Sequence, residues 1–318
     1  LVARFLLWRL LSTVPVMLTV LVVIFLLLHI GPGDPAATLA GDNATPEQIA
    51  GIRARLHLDQ PLIVQFAIYL RQVLSFDLGV SVFSNRPVTT LILQRAEPTL
   101  MLALTTTLLS VIVAVPAGIY AAKRVGRFGD YVVMGFSALA FSVPVFVLGY
   151  LLMQSFAISL RWLPVQGYRP LSAGLMACLT SLTLPTLALT CLFAALVARI
   201  TRATMLDVLA QDYIRTARAK GAGRFRILIV HALKNIGVPV VTVVGTSFAA
   251  LLGGVVVTES VFNIPGAGRL TVEAILTRDY PVVQGVMLVF AVILVGVNLL
   301  VDLSYTLFDP RIRHGGSR

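Results

Sequence analysis

Residues Asp212–Pro239 read DYIRTARAKGAGRFRILIVHALKNIGVP. This is the only long, strongly basic segment in a chain that is otherwise mostly apolar, and it lies between two long runs without charge. If those runs cross a membrane, the segment belongs to a loop of about 35 residues on one face. Asp212–Lys220 reads as a helix: a 3.6-residue repeat sets Tyr213, Thr216 and Lys220 near one face and Ile214 and Arg218 near another. Gly221 and Gly223 interrupt it. The helical pattern resumes over Phe225–Lys234, where Ile227, Val230 and Lys234 are three and four apart. Two short helices at a glycine corner make a knob. Such a knob either meets a partner or is a solvated loop whose charge only fixes topology.

The flanking runs set the class. The 318 residues are 58% hydrophobic and 12% charged, against about 25% charged in a soluble domain. Six stretches longer than 18 residues carry no charge: Leu10–Leu28, Pro98–Ala122, Tyr131–Leu160, Pro170–Ala198, Asn235–Thr258 and Tyr280–Val301. The expected fold is an all-α polytopic membrane protein with six transmembrane helices. Disordered, fibrous and disulfide-scaffold classes are excluded. Cys178 and Cys191 lie in one predicted helix, about 20 Å apart, too far to bridge, and read as small packing residues. His29, His57, His231 and His314 are scattered, and no metal-ligand spacing occurs.

The net charge of +11 is uneven. With the N-terminus inside and six alternating spans, the inner face holds Arg4, Arg9, Lys123, Arg124, Arg127, Arg199, Arg202, Arg215, Arg218, Lys220, Arg224, Arg226, Lys234, Arg311, Arg313 and Arg318. Against these sixteen stand five acids, Asp130, Asp207, Asp212, Asp302 and Asp309. The outer face balances at nine and nine. This positive-inside bias predicts cytoplasmic termini. It also accounts for the basic charge without nucleic acid, for which no motif is present.

Along the chain, residues 1–30 read as a short cytoplasmic lead-in and a retained first span, too long for a signal-peptide core. Residues 31–97 form the one sizeable external segment. Thr45-Pro46-Glu47-Gln48 opens a short helix with a cap, a first-turn proline and an acid. Leu62, Phe66, Tyr69, Leu70 and Val73 make one apolar face of a second, interfacial helix. Residues 98–308 form the core, with spans near 98–122, 131–158, 172–198, 236–258 and 281–305 and an inner loop over 199–235; residues 309–318 are an inner tail. Pro98 is read as a first-turn proline of the second span. Ser142-Val143-Pro144 interrupts the third; such a break lines a passage or is a packed kink. Thr183, Thr186 and Thr190 in the fourth span face a pore or bond across helices. The fifth span is rich in small residues (Gly245, Ser247, Ala249, Ala250, Gly253, Gly254) that let helices approach closely. Asn298 stands out in the sixth. Val261–Leu270 is a fixed turn or an outer contact.

No span has a charge in its middle third, which disfavours intramembrane enzymes and ion-driven carriers. No GxxxxGK[ST] loop occurs, so nucleotide energy must come through another chain. The residues point to a transport subunit with an uncharged passage, ahead of a membrane scaffold or receptor.

Arg215–Gly221 followed by Asn235–Pro239 resembles the cytoplasmic EAA loop of ABC importer permeases. The stretch Asp212–Gly221 with His231-Ala-Leu-Lys-Asn235 resembles the form in dipeptide and oligopeptide permeases. Further matches follow in the family's order: Gly31-Pro-Gly-Asp-Pro35, Leu58-Asp-Gln-Pro61, Phe76-Asp-Leu-Gly79, Arg161-Trp-Leu-Pro164, Val261-Phe262 with Pro265-Gly266 and Gly268-Arg269, Arg278-Asp-Tyr-Pro-Val-Val-Gln-Gly285, and Asp309-Pro-Arg311. They cover essentially the whole chain. The family's glutamate is missing, since Arg215-Thr216-Ala217 stands at the aligned triad.

The resemblance implies the type I importer permease fold and the first (B-type) permease of a heterodimer in a bacterial inner membrane. It implies two ATP-binding subunits or domains, with ATP and Mg on those partners and no cofactor on this chain. An external peptide-binding protein would deliver a di- or oligopeptide. Asp212, Tyr213, Arg215, Thr216, Ala217, Arg218, Ala219, Lys220 and Gly221 would form the coupling helix. Pathway or gate candidates are Ser142, Pro144, Thr183, Thr186, Thr190, Ser247 and Asn298. Binding-protein contacts are expected at Asp42, Glu47, Arg53, Asn263, Pro265, Gly266 and Arg269. Related permeases carrying nickel complexes, glutathione or other small solutes keep those cargoes open, as does a scaffold that has lost its ATPase.

Overall fold

The computed structural model describes residues 2–30, 36–37, 44–55 and 57–308. Gly31–Pro35, Asp42 and Asp309–Arg318 therefore lie outside the described residues. Among those described, regular structure is helical throughout: α1 Val2–Ile30, α2 Pro46–Arg55, α3 Leu62–Leu74, α4 Val88–Lys123, α5 Phe128–Ser142, α6 Val145–Leu152, α7 Leu175–Leu209, α8 Asp212–Ala219, α9 Arg224–Arg226, α10 Leu233–Gly254, α11 Val256–Val261, α12 Ala267–Leu276 and α13 Tyr280–Phe308. Lipid offers backbone groups no partner, so spanning segments must satisfy their own.

Among the described residues four helical stretches are long and apolar enough to cross a membrane: Val88–Lys123, Leu175–Leu209, Ile227–Gly253 and Tyr280–Tyr305. Phe128–Ser142 and Val145–Ser159 reach that length and apolarity only as a pair, bent by 101° at the break between them. Pro144 causes the break: it sits at the N-terminus of α6, φ −58°, and Val143 before it is extended at ψ 120°. The first expected span falls on α1. Two elements differ from the sequence reading. The helix carrying the second span starts at Val88, so Pro98 is an interior proline. The segment after Gly223 is no separate short helix, because α9 runs through a π turn, Ile227–Ala232, directly into α10.

The chain divides into two compact units. Unit one comprises residues 1–6, 98–265 and 296–318. Within it α7 packs against α5, α6 and α10. Gly245 on α10 lies so close to α13 that a Cβ there would meet Val301 Cγ2 at 2.1 Å; only glycine permits that approach. The outer loop is tied down where Gln166 Nε2 donates to the Val261 carbonyl at 2.8 Å and the Gly167 amide donates to that of Phe262 at 2.9 Å. At the other end Arg202 clamps Asp130. Its Nε donates to Oδ1 and its Nη2 to Oδ2 at 2.7 Å, and the Gly126 amide adds 3.0 Å to the same carboxylate.

Unit two comprises residues 7–97 and 266–295. Thr45 and Gln48 close a capping box at α2: the Thr45 amide donates to Gln48 Oε1 at 2.9 Å and the Gln48 amide to Thr45 Oγ1 at 3.4 Å. The apolar face of α3 meets α1, with Phe25 edge-on to Phe66 at 5.3 Å, and Leu21, Ile24 and Leu288 form the core beneath. Asp279 is buried and accepts from Ser81 Oγ and from the Val82 amide. The Phe76-Asp-Leu-Gly79 and Arg278–Gly285 motifs thus pack together, Leu78 lying over Gly285.

Breaking the Asp130–Arg202 pair leaves a buried carboxylate without its counter-charge and held by the Gly126 amide. Arg202→Met is expected to lower unfolding stability by about 3 kcal/mol, read by denaturant titration in mild micelles, whereas the exposed Arg215→Met shifts it by under about 0.5 kcal/mol.

Candidate functional site

The basic helix α8 is built by local chemistry. Its first turn holds Asp212, which suits the helix dipole and accepts from Arg215 Nη1 at 3.2 Å. Thr216 Oγ1 bonds back to the Asp212 carbonyl at 3.0 Å. The helix stops at Gly221, φ +81°, a left-handed residue that closes a Schellman motif: the Ala222 amide donates to the Ala217 carbonyl at 3.0 Å.

One side chain anchors this helix. Ile214 is fully buried, while Asp212, Tyr213, Arg215, Thr216, Arg218, Ala219 and Lys220 are exposed and Ala217 is half-buried. Tyr213 adds a polar tether, its hydroxyl accepting from Asn235 Nδ2 at 2.9 Å. α8 rests on the π turn. Beneath that turn lies a core of Ala122, Met205, Leu228, Ala232 and Ile236. The ends of α4 and α7, the π turn and the start of α10 therefore meet in one apolar cluster. The arrangement is a short, exposed basic helix seated beside an apolar cluster. Arg215 and Arg218 project outward with no requirement in the fold beyond the exposed Asp212 pair.

The other sequence candidates are dispersed. Ser142, Pro144 and Asn298 are exposed. Thr186, Thr190 and Ser247 are buried inside unit one; Thr183 is half-buried and donates to the Leu179 carbonyl at 2.9 Å. Thr186 meets Thr105, hydroxyl to hydroxyl, at 2.9 Å. Glu47 and Arg53 are exposed on α2, and Asn263, at φ +51°, and Pro265 are exposed after α11. Gly266 is buried, and Arg269 Nε donates to Glu273 Oε1 at 2.8 Å. Unit two holds a half-open cavity of about 370 Å³ whose wall includes Gln72, Asp77 and Gln284. Tyr69 lines it too; burial pushes its hydroxyl up to about 12. Among the described residues there is no cluster of three His, Cys, Asp or Glu side chains fit to hold a metal.

Sequence reasoning missed Glu259. It is 0% exposed, and Thr99 Oγ1 donates to it at 2.6 Å. A signal was present: Val255, Glu259 and Phe262 recur at helical spacing, and all three are buried.

Residues 114–314 match the family described as binding-protein-dependent transport system inner membrane component, and residues 2–103 match its N-terminal companion. The chain belongs to that family. Its permease relatives match end to end. A probable peptide ABC transporter permease of Sinorhizobium fredii is 53% identical over 310 residues, covering 98% of this chain and 99% of that one. A putative peptide transport system permease of Brucella abortus is 44% identical, covering 96% and 98%. A glutathione transport system permease of Salmonella choleraesuis is 43% identical, covering 98% and 99%. A chain of the MetNI methionine ABC transporter, in inward-facing conformations, superposes with TM-score 0.54 at 18% identity, covering 69% of this chain and 96% of that one; the fold is shared.

Ile214→Ala removes the anchor and about 2 kcal/mol of packing. Amide exchange over residues 214–219 is expected to quicken more than tenfold, measured by hydrogen–deuterium exchange, with the core helices unaffected.

Proposed function

We propose that this permease couples ATP hydrolysis by partner subunits to the inward passage of short peptides. One observation carries the reading: an exposed basic helix, seated on Ile214 and stopped at Gly221, rests on the apolar cluster where α4, α7 and α10 meet. A partner with an acidic groove would hold Arg215, Arg218 and Lys220. Push on α8 would pass through the π turn into α7 and α10. The helix is short and closed by its own hydrogen bonds, so it would move as a body.

The assembly this requires has four further parts. A second, homologous permease completes the passage as a heterodimer, two ATP-binding subunits or domains lie beneath, and an external binding protein delivers cargo. ATP and Mg belong to the ATPases, and the chain itself performs no chemistry. Charge asymmetry favours cytoplasmic termini, and membership of a family of inner membrane components supports a bacterial inner membrane. The relatives named for peptide transport favour peptides, and the glutathione relative fits the same class, since glutathione is itself a short peptide. Exposed Glu47 and Arg53 on α2, with Asp42 earlier in the same segment, are one proposed contact for the binding protein. Asn263 and Pro265, followed in the chain by Gly266 and Arg269, are proposed separately as a second. Ser142, Pro144 and Asn298, exposed on this chain, are placed on the passage; Thr183, Thr186, Thr190 and Ser247 would hold its wall from within.

Two outcomes test the reading. Arg215→Glu with Arg218→Glu, or Gly221→Pro, which cannot adopt φ +81°, should cut peptide uptake more than tenfold while the chain stays in the membrane and ATP hydrolysis continues. Unchanged uptake in both variants would refute the coupling role. Removing residues 42–58 should weaken docking of the external binding protein more than assembly with the ATPases; equal loss of both would make that segment a folding element.

A further inference from the structure

Hydroxyls in these spans normally satisfy themselves. Thr105, Ser137, Thr183, Thr204 and Thr242 each donate to the carbonyl four residues earlier, at 2.7–2.9 Å. Thr246, next to Ser247, does the same at 3.0 Å. That back-bond is available at any helical position and is the usual refuge of a hydroxyl in lipid.

Six buried hydroxyls among the described residues of unit one depart from this habit, Thr106, Thr190 and Thr201 among them, and three of the six do so around one cavity. Thr107 Oγ1 and Ser110 Oγ on α4 and Ser247 Oγ on α10 are buried and have no hydrogen-bond partner among the described residues. Ser110 is 2% exposed and Ser247 6%. All three line one small cavity in unit one, whose wall also includes Phe193 and Val197 of α7 and Leu251 of α10. The space open to the centre of a water molecule is about 10 Å³, enough for one water and far too little for a solute. A buried hydroxyl without a partner is costly, and three in one apolar pocket compound that cost. The pocket lies along charge-free stretches of α4 and α10.

We propose that Thr107, Ser110 and Ser247 bind a single structural water that bridges α4 and α10 against α7. Three hydroxyls and one water can exchange donor and acceptor roles without any helix turning. The site is therefore a joint that keeps its hydrogen bonds while α10 shifts by a fraction of an ångström against α4. It depends on the geometry of unit one alone, and stands whatever cargo the permease carries.

The complete transporter in lipid nanodiscs, imaged by electron cryomicroscopy finely enough to show ordered water, tests this. One isolated density within hydrogen-bond distance of at least two of the three oxygens is expected in the unaltered protein, and none at that place in Ser110→Ala with Ser247→Ala. A joint site also predicts that the melting-temperature loss of the double variant is smaller than the sum of the single losses, since the second removal finds the water already gone. The proposal is overturned if the unaltered protein shows no such density and the three hydroxyls are turned onto carbonyls of their own helices.

Discussion

The constraint on which this structure depends is that lipid supplies no hydrogen-bond partner to a backbone. Every described spanning segment is a helix for that reason, and each departure from regular helix has a local cause. Pro144 separates α5 from α6, and the chain bends there by 101°. The π turn Ile227–Ala232 carries α9 into α10, next to the short helix it supports. Schellman closures at Gly221 and Asn263 end α8 and α11 by returning amides to the preceding turn. Proline and left-handed residues fall where the chain must stop or turn, and small residues where helices must touch.

Within that frame the polar groups divide into two kinds. Some fix the fold: Asp130 under Arg202, Asp279 under Ser81 and Glu259 under Thr99 are buried carboxylates, each held by a donor from a distant part of the sequence. Others are left outside. The cations of α8 lie in solvent although the helix itself is anchored by one isoleucine. A fold that buries these three acids with partners and leaves a compact basic helix exposed keeps that positive charge within reach of another chain.

Much of this was legible in the sequence. Charge-free length reveals spans directly, because the bilayer imposes both length and composition. The α8 helix was legible because Asp212 and Gly221 carry its start and stop signals. The family was legible because its motifs occur in order along the chain. Partnerships were not: Arg202 lies 72 residues from Asp130, Glu259 160 from Thr99, and Asp279 198 from Ser81. No local period records such pairs. Pro98 misled because an N-terminal proline and an interior one look alike when the residues before it, Val88–Glu97, are polar enough to pass for a loop. The fifth span's start misled likewise, since Phe225–Lys234 carries charge and still continues into α10.

The most direct measurement for the central claim is recovery of this chain from its own cells in mild detergent, with every partner identified by mass. The account predicts a second permease of the same family, one or two ATP-binding proteins and an external binding protein that carries a short peptide. Recovery of the chain alone, or only with copies of itself, would contradict it.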